Sequence, residues 1–195
     1  MSDDGYDAPG WVLLLAQLPA SPSSPRVTLW RRAKAAGAVG LQNGAWVLPG
    51  TDDNLEFFRI LADYVRGHDG TAHALSVRAV EDEGDAEIVA RFQSERAKEF
   101  AELHERGLAL IFELDRETAK VNFTFAELEE NEQVMDRLTS WLDKIAARDF
   151  FPDAHAKAAA HLLDRCRRAL ERFTTSVYRA EGVAPDLPPD TETDG

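Results

Sequence analysis

The residues best suited to chemistry lie in the first quarter of the chain. Ser21, Ser23 and Ser24 fall in the turn-rich loop Pro19-Ala-Ser-Pro-Ser-Ser-Pro25. Ser24 followed by Pro25 is the arrangement of a helix N-cap and first helical position. The free amides and dipole of such a terminus favour a negative group. Ser23, Ser24 and Arg26 therefore form a candidate anion-binding set, suited to an oxyanion or a nucleic-acid phosphate. The simpler alternative is that Ser24 only caps the helix while Arg26 pairs with an acid elsewhere. Arg31, Arg32 and Lys34 project from the opposite side of the same helix and are candidates for DNA or phosphate contact. Their plainer reading is a solvated helix face.

Other reactive side chains are scattered. His68, His73, His104, His155 and His161 match no metal-ligand spacing, and His161 and Cys166 sit five apart on a helix, pointing in different directions. Cys166, the one cysteine, falls on an apolar stripe and reads as a core residue rather than a redox site. Asp52 and Asp53 are placed to start a helix, which explains them better than metal ligation does. There is no Ser-His-Asp arrangement, nucleophile elbow, P-loop or dinucleotide fingerprint. No catalytic residue, metal or cofactor is expected, and binding rather than catalysis is the expected mode of action. No helix-turn-helix or zinc finger is recognisable, so any DNA contact should be weak and salt-sensitive, or helped by a partner.

The elements that must position these groups can be read from the apolar pattern. Trp11-Val-Leu-Leu-Leu-Ala-Gln-Leu18 is a continuous apolar run, as in a central strand buried on both faces. A helix from Pro25 to about Ala36 should stop at Gly37, with Arg26 on the arc of Leu29, Trp30 and Ala33. Ala38–Leu41 and Ala45–Leu48 flank Asn43-Gly44, a strong hairpin signal. A second helix follows from Thr51 to about Gly67 with Leu55, Phe58, Leu61, Ala62 and Val65 inward, then a last strand over Thr71–Val80. Strand, helix, hairpin, helix, strand is the ferredoxin-like split βαβ order, an α+β fold with both helices on one face of an antiparallel sheet.

From Asp85 the texture becomes helical. Leu108–Leu114 fits either a buried helical turn or a short strand. Thr124-Phe-Ala-Glu127 is a capping box opening a helix with Leu128, Met135, Leu138, Trp141, Leu142 and Ile145 on one stripe. A break over Arg148–Pro152 precedes a last helix from about Asp153 to Tyr178, pairing with the previous one as a helical hairpin. The organisation expected is a disordered start at 1–9, a ferredoxin-like domain at 10–82, a helical extension at 83–180 and a disordered acidic tail at 181–195. Trp11, Trp30, Trp46 and Trp141 all sit in these elements and are expected to be core rather than base-stacking platforms.

Hydrophobic residues make up 44% of the 195 and charged residues 29%, enough for a packed core. A net charge of −13 argues against avid, sequence-blind nucleic-acid binding. The average hides an asymmetry: Pro9 to Gly50 contains no Asp or Glu, yet holds Arg26, Arg31, Arg32 and Lys34. No apolar stretch is long enough for a membrane span, Asp3, Asp4 and Asp7 are wrong for an export signal, and a single cysteine suits a reducing compartment. A cytoplasmic protein is expected.

Several separate motifs resemble one family. Gln17-Leu-Pro, Pro22-Ser-Ser-Pro-Arg26, Trp30-Arg31-Arg32, Gly37-Ala38, Asn43-Gly44 and Val47-Leu-Pro49 are similar to the opening of the ChrB N-terminal domain family. Phe123-Thr-Phe-Ala-Glu-Leu-Glu-Glu-Asn131 and Ala147-Arg-Asp-Phe-Phe151 resemble its later helical part. The resemblance implies a regulatory or accessory protein of chromate resistance, working beside an efflux pump and binding DNA or an oxyanion such as chromate. Full-length relatives carry a further C-terminal sensing domain, so a partner protein supplying that domain is one expectation and a homodimer another. In the partner-protein reading the chain is a protein-interaction module completing a split regulator. A weaker similarity links the opening segment to phenylacetate-catabolism repressors and to small CRISPR-associated nucleases of ferredoxin-like fold. In those nucleases an aspartate ends the first strand, where this chain reads Ala16-Gln17-Leu18. A metal-dependent nuclease would need Asp52 or Asp53 instead, and is not expected.

Overall fold

A computed structural model describes residues 10–183. The order is β1 (Trp11–Gln17), α1 (Ser24–Ala35), β2 (Val39–Gln42), β3 (Ala45–Pro49), α2 (Asp52–Arg66) and β4 (Thr71–Val77). Three long helices follow: α3 (Asp82–Ala119), α4 (Phe125–Ala146) and α5 (Ala154–Ala180). The strands form one sheet in the order β2-β3-β1-β4, antiparallel throughout. This is the ferredoxin-like split βαβ arrangement with a helical extension. The disordered ends expected at 1–9 and 181–195 fall, but for residues 181–183, outside the described residues.

The chain divides into two compact units. One runs to Ala97 and takes in Ala147–Pro152; the other is Lys98–Ala146 with the chain from Asp153 onward. The sheet unit therefore includes the first turns of α3 as well as the four strands.

The sheet unit is built around β1, whose unbroken apolar run lets it pair with β3 on one side and β4 on the other. Val12 and Leu14 are buried on the face shared with Leu48 and Trp46 across the ladder. Helix α2 packs there with Phe58, Leu61, Ala62 and Val65 inward, at the spacing of a helix stripe. Burying a Phe, Leu or Val side chain stabilises by about 1.5–3 kcal/mol. On the other face Trp11 stacks on Phe92 of α3, ring centroids 5.9 Å apart, and tilts against Phe151. Its indole N–H donates to the Asp85 carboxylate. Thr51 rather than either aspartate caps α2, its hydroxyl accepting from Asn54 N at 3.2 Å.

Two boundaries differ from the sequence reading. β4 ends at Val77, not Val80, because Val77 faces Trp11, the first residue of β1, where the β1–β4 ladder ends. The run Leu108–Leu114 is neither a separate turn nor a strand. It continues α3, a single helix of 38 residues, with Leu110 and Leu114 buried one turn apart.

In the helical unit, α4 and α5 bury their predicted stripes against the later turns of α3. Packing is closest at Gly107, where an added Cβ would lie 2.7 Å from Leu162 Cδ2. The Cys166 thiol donates to the Gly107 carbonyl at 3.3 Å and is fully buried, which pushes its pKa up. Only half of the expected capping box forms. Thr124 Oγ1 accepts from Glu127 N at 3.3 Å, but the Glu127 carboxylate accepts from Asn122 rather than reaching back. Asn122 is also one of three donors gathered by Glu117, a nearly buried carboxylate. The Asn122 amide at 2.7 Å, Lys120 at 3.0 Å and Arg116 at 3.0 Å hold Glu117 down to about 2.

Candidate functional site

The acid-free segment from Pro9 to Gly50 becomes β1, α1, β2 and β3, so its cations are displayed from one helix over one end of the sheet. Pro25, Leu29 and Ala33 anchor α1 to the sheet unit. The cap lies one residue earlier than expected. Ser23 occupies the N-cap position and makes no side-chain cap bond, while Ser24 and Pro25 are the first helical residues. Proline is tolerated at either early position because its missing N–H would have no helical partner there. The Ser23 and Ser24 side chains are exposed at this terminus, as the anion-binding set requires.

Among the described residues, Arg26 pairs with no acid. Its Nη2 donates to the Ala20 carbonyl at 2.6 Å, which fixes the guanidinium beside the loop and leaves its other N–H groups available. Arg32 lies over the Tyr64 ring, Cζ 4.6 Å from the centroid. Stacking of this kind occupies the face of the guanidinium and leaves its in-plane donors pointing outward. Arg31 is exposed and has no ion pair among the described residues. Lys34 is different: its ammonium pairs with Glu95 on α3, both side chains about a third exposed. The three candidates Arg31, Arg32 and Lys34 thus do not form one patch. Arg32 leans toward α2, Lys34 is neutralised by α3, and Arg31 stands alone between them.

One arrangement was missed by sequence reasoning. A cleft of about 430 Å³ opens between α1 and the β2–β3 hairpin, lined by Gln17, Leu18, Arg26, Trp30, Asn43 and Trp46 among others. Trp30, expected in the core, is 53% exposed, and Trp46 is only partly buried. The correction has a simple cause. Trp30 sits at the edge of the buried arc defined by Leu29 and Ala33, over the opening instead of over the sheet. Gly44 shapes the rim: at φ +76° it makes the hairpin turn, and its carbonyl accepts from Ala16 N at 2.7 Å. The four-residue spacing Arg26, Trp30, Lys34 is the one signal in the sequence that could have marked this face.

The groups considered for metal chemistry stay apart. Gln17 ends β1, whereas Asp52 opens α2 just after Pro49, which pairs with Trp11 at the other end of that strand. They are separated by the length of β1, roughly 20 Å at the rise of a strand. Among the described residues, no three His, Cys, Asp or Glu side chains converge as metal ligands would. No described helix is long and apolar enough to cross a membrane.

Fold and surface together define a class: a ferredoxin-like α+β unit with a helical extension and an acid-free, arginine-bearing first helix. Residues 26–184 match the family described as Protein ChrB, N-terminal, and the chain belongs to that family. It is 32% identical over 178 residues to Protein ChrB of Cupriavidus metallidurans, an alignment covering 91% of this chain and 51% of that protein. The chain thus spans about half the length of the curated relative it matches. No solved structure matches it.

Proposed function

We propose that this protein is a regulatory or accessory module of chromate resistance that acts by binding a polyanion, foremost DNA, through α1, and not by catalysis. The observation that carries this reading is how the arginines of α1 are partnered. Arg26 bonds a carbonyl and Arg32 a ring, and neither they nor Arg31 is paired with a carboxylate among the described residues, in a chain of net charge −13. Ser23, Ser24 and Arg26 extend the same face to a small oxyanion such as chromate.

The test is titration of labelled duplex DNA with the full chain and with the variant Arg26→Ala/Arg31→Ala/Arg32→Ala. The variant should make the slope of log affinity against log salt shallower by about 2 to 3, so that the parent loses about 40-fold more affinity than the variant over a fourfold rise in salt from about 50 mM. Its thermal unfolding should match the parent, as exposed substitutions usually shift stability by less than about 0.5 kcal/mol. Equal affinity and equal slope in parent and variant would remove the proposal. A parallel titration with chromate and sulfate, repeated on Arg26→Ala, separates the oxyanion from the nucleic acid.

A second reading, a protein-interaction module, has support in the helical unit. Leu108 and Phe112 are exposed at 41% and 69%, one turn apart on α3, where a partner helix would dock. It takes precedence if the parent holds no DNA at low salt.

A further inference from the structure

We infer that the cleft between α1 and the β2–β3 hairpin receives an unstacked base of a single-stranded nucleic acid, with Trp30 and Trp46 offering the stacking surface and Arg26 the phosphate contact. The inference rests on the polyanion reading above and narrows it to unpaired strands.

Three observations carry it. All the residues lining the cleft come from the acid-free stretch, so the cavity holds a guanidinium and no carboxylate of its own. Its volume, about 430 Å³, lies within the range of small-ligand sites and is wide enough for a base with its sugar. Two tryptophans line it, one more than half exposed, and an exposed indole next to a guanidinium is what sequence-tolerant base stacking uses. Asn43, on the hairpin turn, adds an amide able both to donate and to accept at a base edge.

The same geometry disfavours duplex as the preferred ligand. A helix entering a groove needs its basic residues on one side, but on α1 Arg32 is stacked on Tyr64 and Lys34 is paired with Glu95. What converges is Arg26 with Trp30 and Trp46. A duplex keeps its bases stacked on one another and cannot present one to those rings, whereas a single strand can.

The experiment uses the full chain, labelled oligothymidylate of about ten nucleotides and a duplex of equal length, with tryptophan quenching as a second readout. The parent should prefer the single strand. Trp30→Ala should weaken oligothymidylate binding about tenfold, Trp30→Phe should stay within about threefold because a ring remains, and duplex binding should change less than about twofold in both. Trp30 is exposed enough that neither change should unfold the protein. Unchanged oligothymidylate affinity in Trp30→Ala, or a parent that prefers duplex, overturns the inference while leaving the polyanion reading in place. A parent that binds neither strand form overturns both.

Discussion

In the helical unit Glu117 draws in the amide of Asn122, the ammonium of Lys120 and the guanidinium of Arg116, and sits almost wholly out of solvent. In the sheet unit the arginines of α1 meet a carbonyl, an aromatic ring and solvent, although the sequence has 35 acids to offer against 22 basic residues. Gly107 lets α3 and α5 approach until no methyl group would fit, while α1 stands off the hairpin far enough to leave a cleft. The helical unit has an opening too, of about 600 Å³, but there Glu102, Glu113, Glu127 and Glu130 stand beside Arg106 and Arg137. The cleft beside α1 holds a guanidinium and two indoles with no carboxylate among its lining. That difference in lining is why the proposed binding surface is placed on α1.

The closed packing can be broken most directly at Gly107. Alanine is the better helix former by about 1 kcal/mol, so propensity alone predicts that Gly107→Ala stabilises. The structure predicts the opposite. The new methyl would fall 2.7 Å from Leu162 Cδ2, with Leu162 itself buried and unable to swing into solvent. Overpacking of this kind destabilises by about 1–3 kcal/mol, and urea unfolding should show a net loss. A gain would mean that the α3–α5 contact is looser than described.

Much of this was legible in the sequence, and the exceptions share a cause. The stripe of α5 was readable from Ala159 to Val177 because a helix buried along one face repeats its apolar residues at a fixed period. The strand order followed from Asn43-Gly44 and the unbroken run of β1. Periodicity does not say where a buried arc ends, however. Leu29, Trp30 and Ala33 share an arc, yet Trp30 is the one left in the open. Likewise Lys34 and Glu95 are 61 positions apart, and no local pattern foretells their pairing. What could not be read was long-range: which cation meets which acid, and where a surface gapes.

A smaller effect comes from Glu117. Its carboxyl is held near 2 in the folded chain, against 4.5 as an ordinary glutamate. A lowered folded pKa means that the unfolded chain binds the proton first. The stabilisation is therefore full above about pH 4.5 and is lost as pH falls toward 2. Unfolding curves of the parent should show stability declining through that acid window, and Glu117→Gln should flatten the decline while lowering stability at neutral pH. If the variant keeps the parent's acid slope, the cluster is not the structural staple that distinguishes this unit.

The smallest effect, and the sharpest for the contrast, is expected at Lys34. It shares a helix with Arg31 and carries the same formal charge, but Glu95 already neutralises it. A partly exposed surface pair of this kind contributes about 0–1 kcal/mol to stability, so Lys34→Ala should scarcely alter unfolding. Binding gives the finer discrimination. A cation that contacts phosphate releases a counterion, and its removal lowers the salt slope by about 0.9 for duplex or about 0.7 for a single strand. Arg31→Ala should show such a drop; Lys34→Ala should leave the slope where it was, because an ammonium held by Glu95 neutralises no phosphate and so releases no counterion from the nucleic acid. A full drop for Lys34→Ala would mean that the lysine abandons Glu95 for the ligand, and the line between neutralised and available cations on α1 would have to be redrawn.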